Sequence, residues 1–370
     1  MGRSRSVRAI ASVFAFLVLA SCGRAPDLIG IDNPEFPAAS VEGASRQKLF
    51  IMTTRAADEV TAVFFGPRRA PDLGLASLVV SIPPNHVVGE IERARTLPPD
   101  PRTEFAIVDP VVYETDDAFV GDLNTELRKR SPGERDILFF VHGYNTTASD
   151  AALLLAQFVE DTGYTGVPVL FTWASAASAP RYVYDLNSAL IARRQITQVS
   201  RILNRSVAES GDLFAHSMGT FLTMEGLVEQ SLTGRFNSRI ALRHVVLASP
   251  DIDVDLFATQ LAYLPKPVRD RMFLLVSQDD RALRISRRIA GGVPRTGALP
   301  AEALEGLGLT VIDLTEVEDE TSLSHSKFAD SPDVVRLIGE SLNNGPAISS
   351  GRTGLLQDVI GDAPIRVIGN

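Results

Sequence analysis

Ser217 lies in Ala215-His216-Ser217-Met218-Gly219, between the apolar run DLFAHS and the stretch GTFLTMEGLVEQSL. Small residues two places either side of a serine let a strand turn sharply into a helix and lift the hydroxyl into view. The usual form is G-x-S-x-G; Ala215 stands at the first small position and Gly219 keeps the second. Such a turn would aim the Met218 amide, and the positive end of the following helix, at an oxyanion formed by attack on a carbonyl. A hydroxyl is a weak nucleophile, so this chemistry also needs a base and a carboxylate to orient it. Without those partners the pentapeptide reads equally well as a serine capping a helix.

The elements around Ser217 show where partners could come from. From Asp136 onward, apolar runs alternate with helical stretches. The runs are ILFFVHG, VPVLFTW, DLFAHS, HVVLASP, MFLLVS and LTVIDL. Continuous apolar runs suit strands buried on both faces, the habit of parallel sheets covered by helices. The alternation implies right-handed crossovers and an open α/β sheet. Active sites of such sheets form at the carboxyl ends of the strands. Those ends carry His142-Gly143-Tyr144-Asn145, Trp173, Ser217, Asp251 and Asp253, and Asp279-Asp280, with His325 after the last run.

The pattern resembles the α/β-hydrolase fold, in which nucleophile, acid and histidine follow in that order along the chain. Downstream of Ser217 the histidines are His244, which opens a strand and so falls at the wrong end of the sheet, and His325 in the polar loop TSLSHS. His325 is the expected base, and His216 is expected to be structural. Asp280 is the favoured acid. Asp279 is its neighbour alternative, and Asp251 and Asp253 are alternatives after the preceding strand. In SPDIDVDLF those two also suit turn formation and helix capping. In this fold an H-G pair shapes the loop that supplies a second oxyanion donor, here the Tyr144 amide beside that of Met218. His142 is expected to tie that loop down. Trp173, Tyr182 and Tyr184 either line an apolar cleft or pack between sheet and helix.

From Asp136 to Phe328 the chain resembles a family of bacterial α/β-hydrolases known only as a domain of unknown function. The matching pieces are FVHGYNT, GVPVLFTW, YDLNSA, FAHSMG, VLASPDID, DDRAL followed by SRR, and HSKF, with KLFIMTTR and VSIPPNHVVGEI upstream. The resemblance implies serine-hydrolase machinery at Ser217, Asp280 and His325, with Asp280 the aspartate that aligns in DDRAL. It implies no substrate.

The 370 residues are 45% hydrophobic and 22% charged, with a net charge of −9. That composition excludes a disordered or fibrous chain. Its acidity argues against general nucleic-acid binding. A single cysteine excludes a disulfide framework and a multi-thiolate metal site. The five histidines lack metal-ligand spacing, and no metal or cofactor is implied.

Arg3, Arg5 and Arg8 precede an apolar run over Ala9–Ala20 that is too short to span a bilayer. It ends in Leu-Ala-Ser-Cys22, which resembles the lipobox of bacterial lipoproteins. The expected organisation is therefore a signal peptide over 1–21, a tether over 22–46, a hydrolase domain over 47–340 and a tail over 341–370. Residues 47–115 form a β-rich part of the domain, with strands in KLFIMTTR, EVTAVFFG, LASLVVSIP and EFAIVDPVVYE. A helix is expected over 117–130. Acylated Cys22 would hold the protein on a membrane, with the outer membrane facing the periplasm favoured because Gly23 is not an aspartate. The expected activity is cleavage of a small-molecule or lipid ester. The alternatives are an amidase, a thioesterase, or a catalytically silent envelope binding protein.

Overall fold

The computed structural model describes residues 27, 29–60, 63–234, 239–318, 323–343 and 363–369. The expected signal peptide and Cys22 lie outside the described residues.

The described chain builds one ten-stranded sheet in the order β10-β9-β8-β7-β6-β4-β5-β1-β2-β3. The strands are β1 (Ser45–Ala57), β2 (Phe65–Ile82), β3 (Ala106–Tyr113), β4 (Asp136–Val141), β5 (Val167–Thr172), β6 (Ser210–His216), β7 (Ala241–Ala248), β8 (Met272–Val276), β9 (Thr310–Asp313) and β10 (Arg366–Ile368). Strands β4 to β9 pair in parallel, and β1 joins them in parallel through β5. β2, β3 and β10 run antiparallel to their neighbours. Each apolar run of the sequence is one of these parallel strands; VPVLFT and MFLLV are buried along their whole length. This is the open, mostly parallel α/β sheet expected from the alternation, in the α/β-hydrolase fold that the resemblance implied.

Helices cover both faces. α1 (Asp116–Leu127) occupies most of the stretch expected to be helical, and its cap Thr115 accepts from Ala118 N. α2 (Ala148–Thr162) opens with a reciprocal capping box between Thr147 and Asp150. It packs one face of the sheet, whose core includes Phe140, Phe158, Phe214 and Phe328. α3 (Tyr182–Leu203) and α4 (Met218–Leu232) pack the other, around Phe171, Trp173 and Met224.

Three sequence expectations change. The strand expected at EVTAVFFG is not found among its described residues: 59, 60, 63 and 64 lie in bends and turns, and Phe65 and Gly66 open β2. Part of the expected tether is docked on the domain: Ile29 is 1% exposed, Gly30 N donates to Ile107 O at 2.9 Å, and the Arg102 guanidinium lies 3.5 Å from the Phe36 ring centre. Apolar Ile29 and Phe36 explain why a segment rich in proline and glycine still docks. The expected tail contributes β10, which closes the β9 edge and satisfies its backbone groups.

The long connection between β2 and β3 is tied down by His86. Its Nδ1 meets Glu92 and its Nε2 meets Asp161 of α2, both at 2.8 Å. Burial disfavours the charged ring, but the bonds and charges of Asp161 and Glu92 outweigh it and raise its pKa to about 9. A group raised on folding stabilises the native state fully below its unfolded pKa of about 6.5, and that stabilisation is lost as pH rises through the folded value. His86→Asn should therefore lower the melting temperature strongly at pH 6 and hardly at pH 10. A deficit that does not depend on pH would show that His86 acts by packing alone.

Candidate active site

The turn after β6 is strained and closely packed. Ser217 has φ 54° and ψ −125°, a conformation costing a non-glycine residue on the order of 1–3 kcal/mol. Neighbouring backbone holds it there: Ser217 N donates to Ala248 O at 2.9 Å, and Ser217 O accepts from Thr220 N at 3.0 Å. α4 begins at the next residue. A Cβ on Gly219 would lie 2.4 Å from His142 O and 2.6 Å from Val141 O, so only glycine fits. A Cβ on Gly143 would lie 2.8 Å from that of Ser217. The loop after β4 thus runs in contact with the serine. Ala215 lies in β6 between Val141 and Leu247, where a methyl group fits the core.

Backbone strain gathers around this turn. Seven non-glycine residues have positive φ among the described residues, and five of them line the carboxyl ends of the strands. They are Asn145 after β4, Ala177 after β5, Ser217 after β6, Ser249 after β7 and Ser324 beside His325. Strain of this kind persists where surrounding structure over-determines it, which is characteristic of functional sites.

The expected base and favoured acid are in contact. His325 Nδ1 lies 2.7 Å from Asp280 Oδ2. The other oxygen, Asp280 Oδ1, accepts from Leu283 N at 2.9 Å and caps α7 (Arg281–Ile289). Both oxygens are therefore fixed, and the carboxylate has no exposed surface. A proton on Nδ1 leaves Nε2 as the basic nitrogen. Burial opposes a charge on His325, but the Asp280 carboxylate outweighs it, and Asp251 and Asp330 add to it, so the pKa is raised. The His325 carbonyl accepts from Ser249 Oγ at 3.0 Å and lies 3.2 Å from His216 Nε2. The His216 and His325 rings are 4.7 Å apart, which brings the base beside the residue preceding Ser217. Burial, then the charge of His325, pushes the His216 pKa well down, and a neutral His216 donates from Nε2.

The loop after β4 is braced from below by His142 and by two residues that the sequence did not single out, Arg55 and Asp185. His142 is fully buried, stacks on Trp173 at 5.2 Å, and places Nδ1 2.8 Å from Gly143 O and Nε2 3.0 Å from Thr172 Oγ1. Arg55, at the end of β1, is 2% exposed. It donates to Thr172 Oγ1 at 2.8 Å, Ser175 O at 3.0 Å and Thr146 O at 2.6 Å. Gly143 O can only accept, so His142 donates from Nδ1, and Nε2 of the neutral ring accepts from Thr172 Oγ1. Burial and then the Arg55 charge push the His142 pKa to about 3, which keeps the ring neutral. Asp185 of the YDLNSA stretch accepts from Asn145 N at 3.3 Å, Ser175 Oγ at 2.5 Å and Ala176 N at 2.6 Å. The Asn145 and Thr146 amides are committed to Asp185 and Ser175. The amides of Tyr144 and Met218 have no hydrogen-bond partner among the described residues. Only the TTR and YDLNSA motifs pointed at Arg55 and Asp185, and neither motif says what its charge contacts.

The alternative acids have other work. Asp279 bridges Lys327 Nζ at 3.0 Å; Lys327 is 2% exposed and also donates to Leu314 O at 2.9 Å. Burial opposes ionisation of Asp279, but the Ser277 hydroxyl and the Lys327 ammonium outweigh it and lower its pKa. Asp251 is buried with Arg295 at 3.2 Å and accepts from Tyr182 Oη at 3.0 Å and from Ser286. Asp253 caps α5 (Val254–Tyr263) through Asp255 N and Leu256 N, and the short α6 (Lys266–Arg269) follows. His244 contacts Asp212 at 2.7 Å, near the amino ends of β6 and β7 and away from Ser217. The aromatic residues do not form a cleft. Trp173 is wholly buried, Tyr182 is 5% exposed, and Tyr184 Oη donates to Pro67 O. Among the described residues no cluster of potential metal ligands is found.

Residues 115–341 match the family described as an alpha/beta hydrolase of unknown function (DUF900). The chain belongs to this family. Among solved structures this hydrolase is similar to fungal esterases from Rhizomucor miehei, at 11% identity and a TM-score of 0.34, over 83% of this chain and 86% of the other. It is also similar to esterase B from Lactobacillus rhamnosis, solved with a tributyrin phosphonate inhibitor, at 11% identity and a TM-score of 0.30, over 92% and 98% of the two chains. Both likenesses are too slight to bear on chemistry. No curated protein matches the sequence.

In this DUF900 hydrolase the two adjacent aspartates should separate in a paired test. Asp280→Asn should lower kcat by about 10⁴, the scale for losing the carboxylate that orients a histidine base. Asp279→Asn should mainly lower the melting temperature by releasing Lys327. Equal, small losses of kcat at both would move the acid to Asp251.

Proposed function

We propose that the protein is a serine hydrolase that cleaves carboxylic esters through an acyl-enzyme. One observation carries this reading: a serine on a strained strand-to-helix turn shares one end of the sheet with a histidine held by a buried aspartate. In this reading Ser217 Oγ attacks the ester carbonyl while His325 Nε2 takes its proton. The Met218 and Tyr144 amides receive the charge that develops on the carbonyl oxygen, a contribution worth about 10²–10³ in rate per donor. His325 then returns the proton to the leaving alkoxide, and Asp280 stabilises the imidazolium in between. Water, deprotonated by the same nitrogen, releases the acid and regenerates Ser217. Acylated Cys22 would keep this chemistry at a membrane surface in the cell envelope.

A nitrophenyl ester series from acetate to decanoate tests the reaction and the acyl pocket together. Wild-type protein should turn over at least part of the series. Ser217→Ala and His325→Ala should each remove nearly all turnover, and the double variant should be little worse than either, because groups acting as a unit are not additive. Undiminished esterase activity in Ser217→Ala would end this reading.

A further inference from the structure

A cavity of about 510 Å³ opens at the other end of the sheet from Ser217. Its floor is the amino ends of β4, β6 and β7, at Ile137, Gly211 and Leu242, and its walls come from α3 and α4. Ile196, Val199 and Leu203 of α3 and Leu227 of α4 make those walls apolar. An apolar cavity of this size carrying a few polar groups is the usual form of a small-molecule site, and it far exceeds a packing defect. Two of its polar groups lack protein partners. Thr223 lines the cavity and is 3% exposed, and its Oγ1 has no hydrogen bond among the described residues. This hydroxyl is one of the few polar atoms on an otherwise apolar wall. Arg271 lies at the rim, exposed, and makes no ion pair among the described residues. The nearby carboxylates are already paired: Asp270 with Lys266 Nζ at 2.7 Å, and Asp212 with Arg243 Nε at 3.2 Å.

We propose that this cavity binds an alkanoate, with its chain among Ile196, Val199, Leu203 and Leu227 and its carboxylate on Arg271. The chemistry is complementary: apolar walls take the methylenes, and a rim guanidinium with no carboxylate of its own takes the head group. The site is separate from the catalytic one. The two share α4, whose first residue heads the oxyanion turn and whose Thr223 and Leu227 face the cavity.

Calorimetry with dodecanoate on the purified full chain tests the proposal, carried out in a Ser217→Ala background so that turnover does not contribute. One saturable site per chain is expected below the micelle-forming concentration. Leu227→Trp should fill the cavity and weaken binding at least tenfold. Arg271→Ala, an exposed change that leaves the core intact, should weaken it about tenfold, and dodecanol should bind wild type no better than dodecanoate binds that variant. Absence of saturable binding would overturn the proposal. Binding unchanged in a folded Leu227→Trp protein would place the chain elsewhere, and binding unchanged in Arg271→Ala, or matched by dodecanol, would refute recognition of the carboxylate.

Discussion

The contact between the turn at Ser217 and the end of β4 sets the rest of the site. Two strands of a parallel sheet lie about 4.8 Å apart, so the loops leaving neighbouring strands compete for the same space. Here β4 and β6 are neighbours, and both loops run over the same edge. Glycines at 143 and 219 remove the side chains that would keep them apart. Once the loops touch, Ser217 has little freedom. Its amide is held by Ala248 and its carbonyl by Thr220, and the first turn of α4 must start beneath it. The positive φ of Ser217 is the cost of that closeness, and the core on both sides of β6 offsets it.

The remaining groups are placed by buried charge. Asp280 serves two partners at once, capping α7 with one oxygen and holding His325 with the other, so the position of the ring is tied to a helix. The loop bearing His325 is held on its far side by the Lys327–Asp279 bridge and beneath by Phe328, whose ring lies 5.1 Å from Phe214 and 4.8 Å from His216. Arg55 does similar work for the opposite loop, joining the carbonyls of Thr146 and Ser175 through one planar group with several donors. A buried arginine used this way costs desolvation energy, and its return is a fixed loop rather than net stability.

Much of this was legible in the sequence because the signals are local. Six unbroken apolar runs became β4 to β9, and the residues expected at the strand ends appear there. His325 could be named because the histidines after Ser217 are few and strand order limits which of them reaches the carboxyl edge; Asp280 was favoured by its place after β8 and by the family resemblance in DDRAL. The brace was not legible. Arg55 and Thr172 are 117 positions apart and meet because β1 pairs with β5, a parallel pairing that no local pattern encodes. Asp251 offered turn chemistry in sequence, whereas its partner Arg295 comes from 44 residues later. Residues 22–46 read as a tether by composition, and residues 341–370 as a tail. A single apolar residue such as Ile29, or a three-residue strand such as Arg366–Ile368, was enough to dock each one.

The account stands on Ser217 being an activated nucleophile. The most direct measurement is intact-mass analysis with peptide mapping after treatment with a fluorophosphonate, which reacts covalently with serines activated in this way. One adduct per chain, located on the peptide containing Ala215-His216-Ser217 and lost in His325→Ala, is the result the geometry predicts. No adduct, or one at another residue that persists without His325, would contradict it.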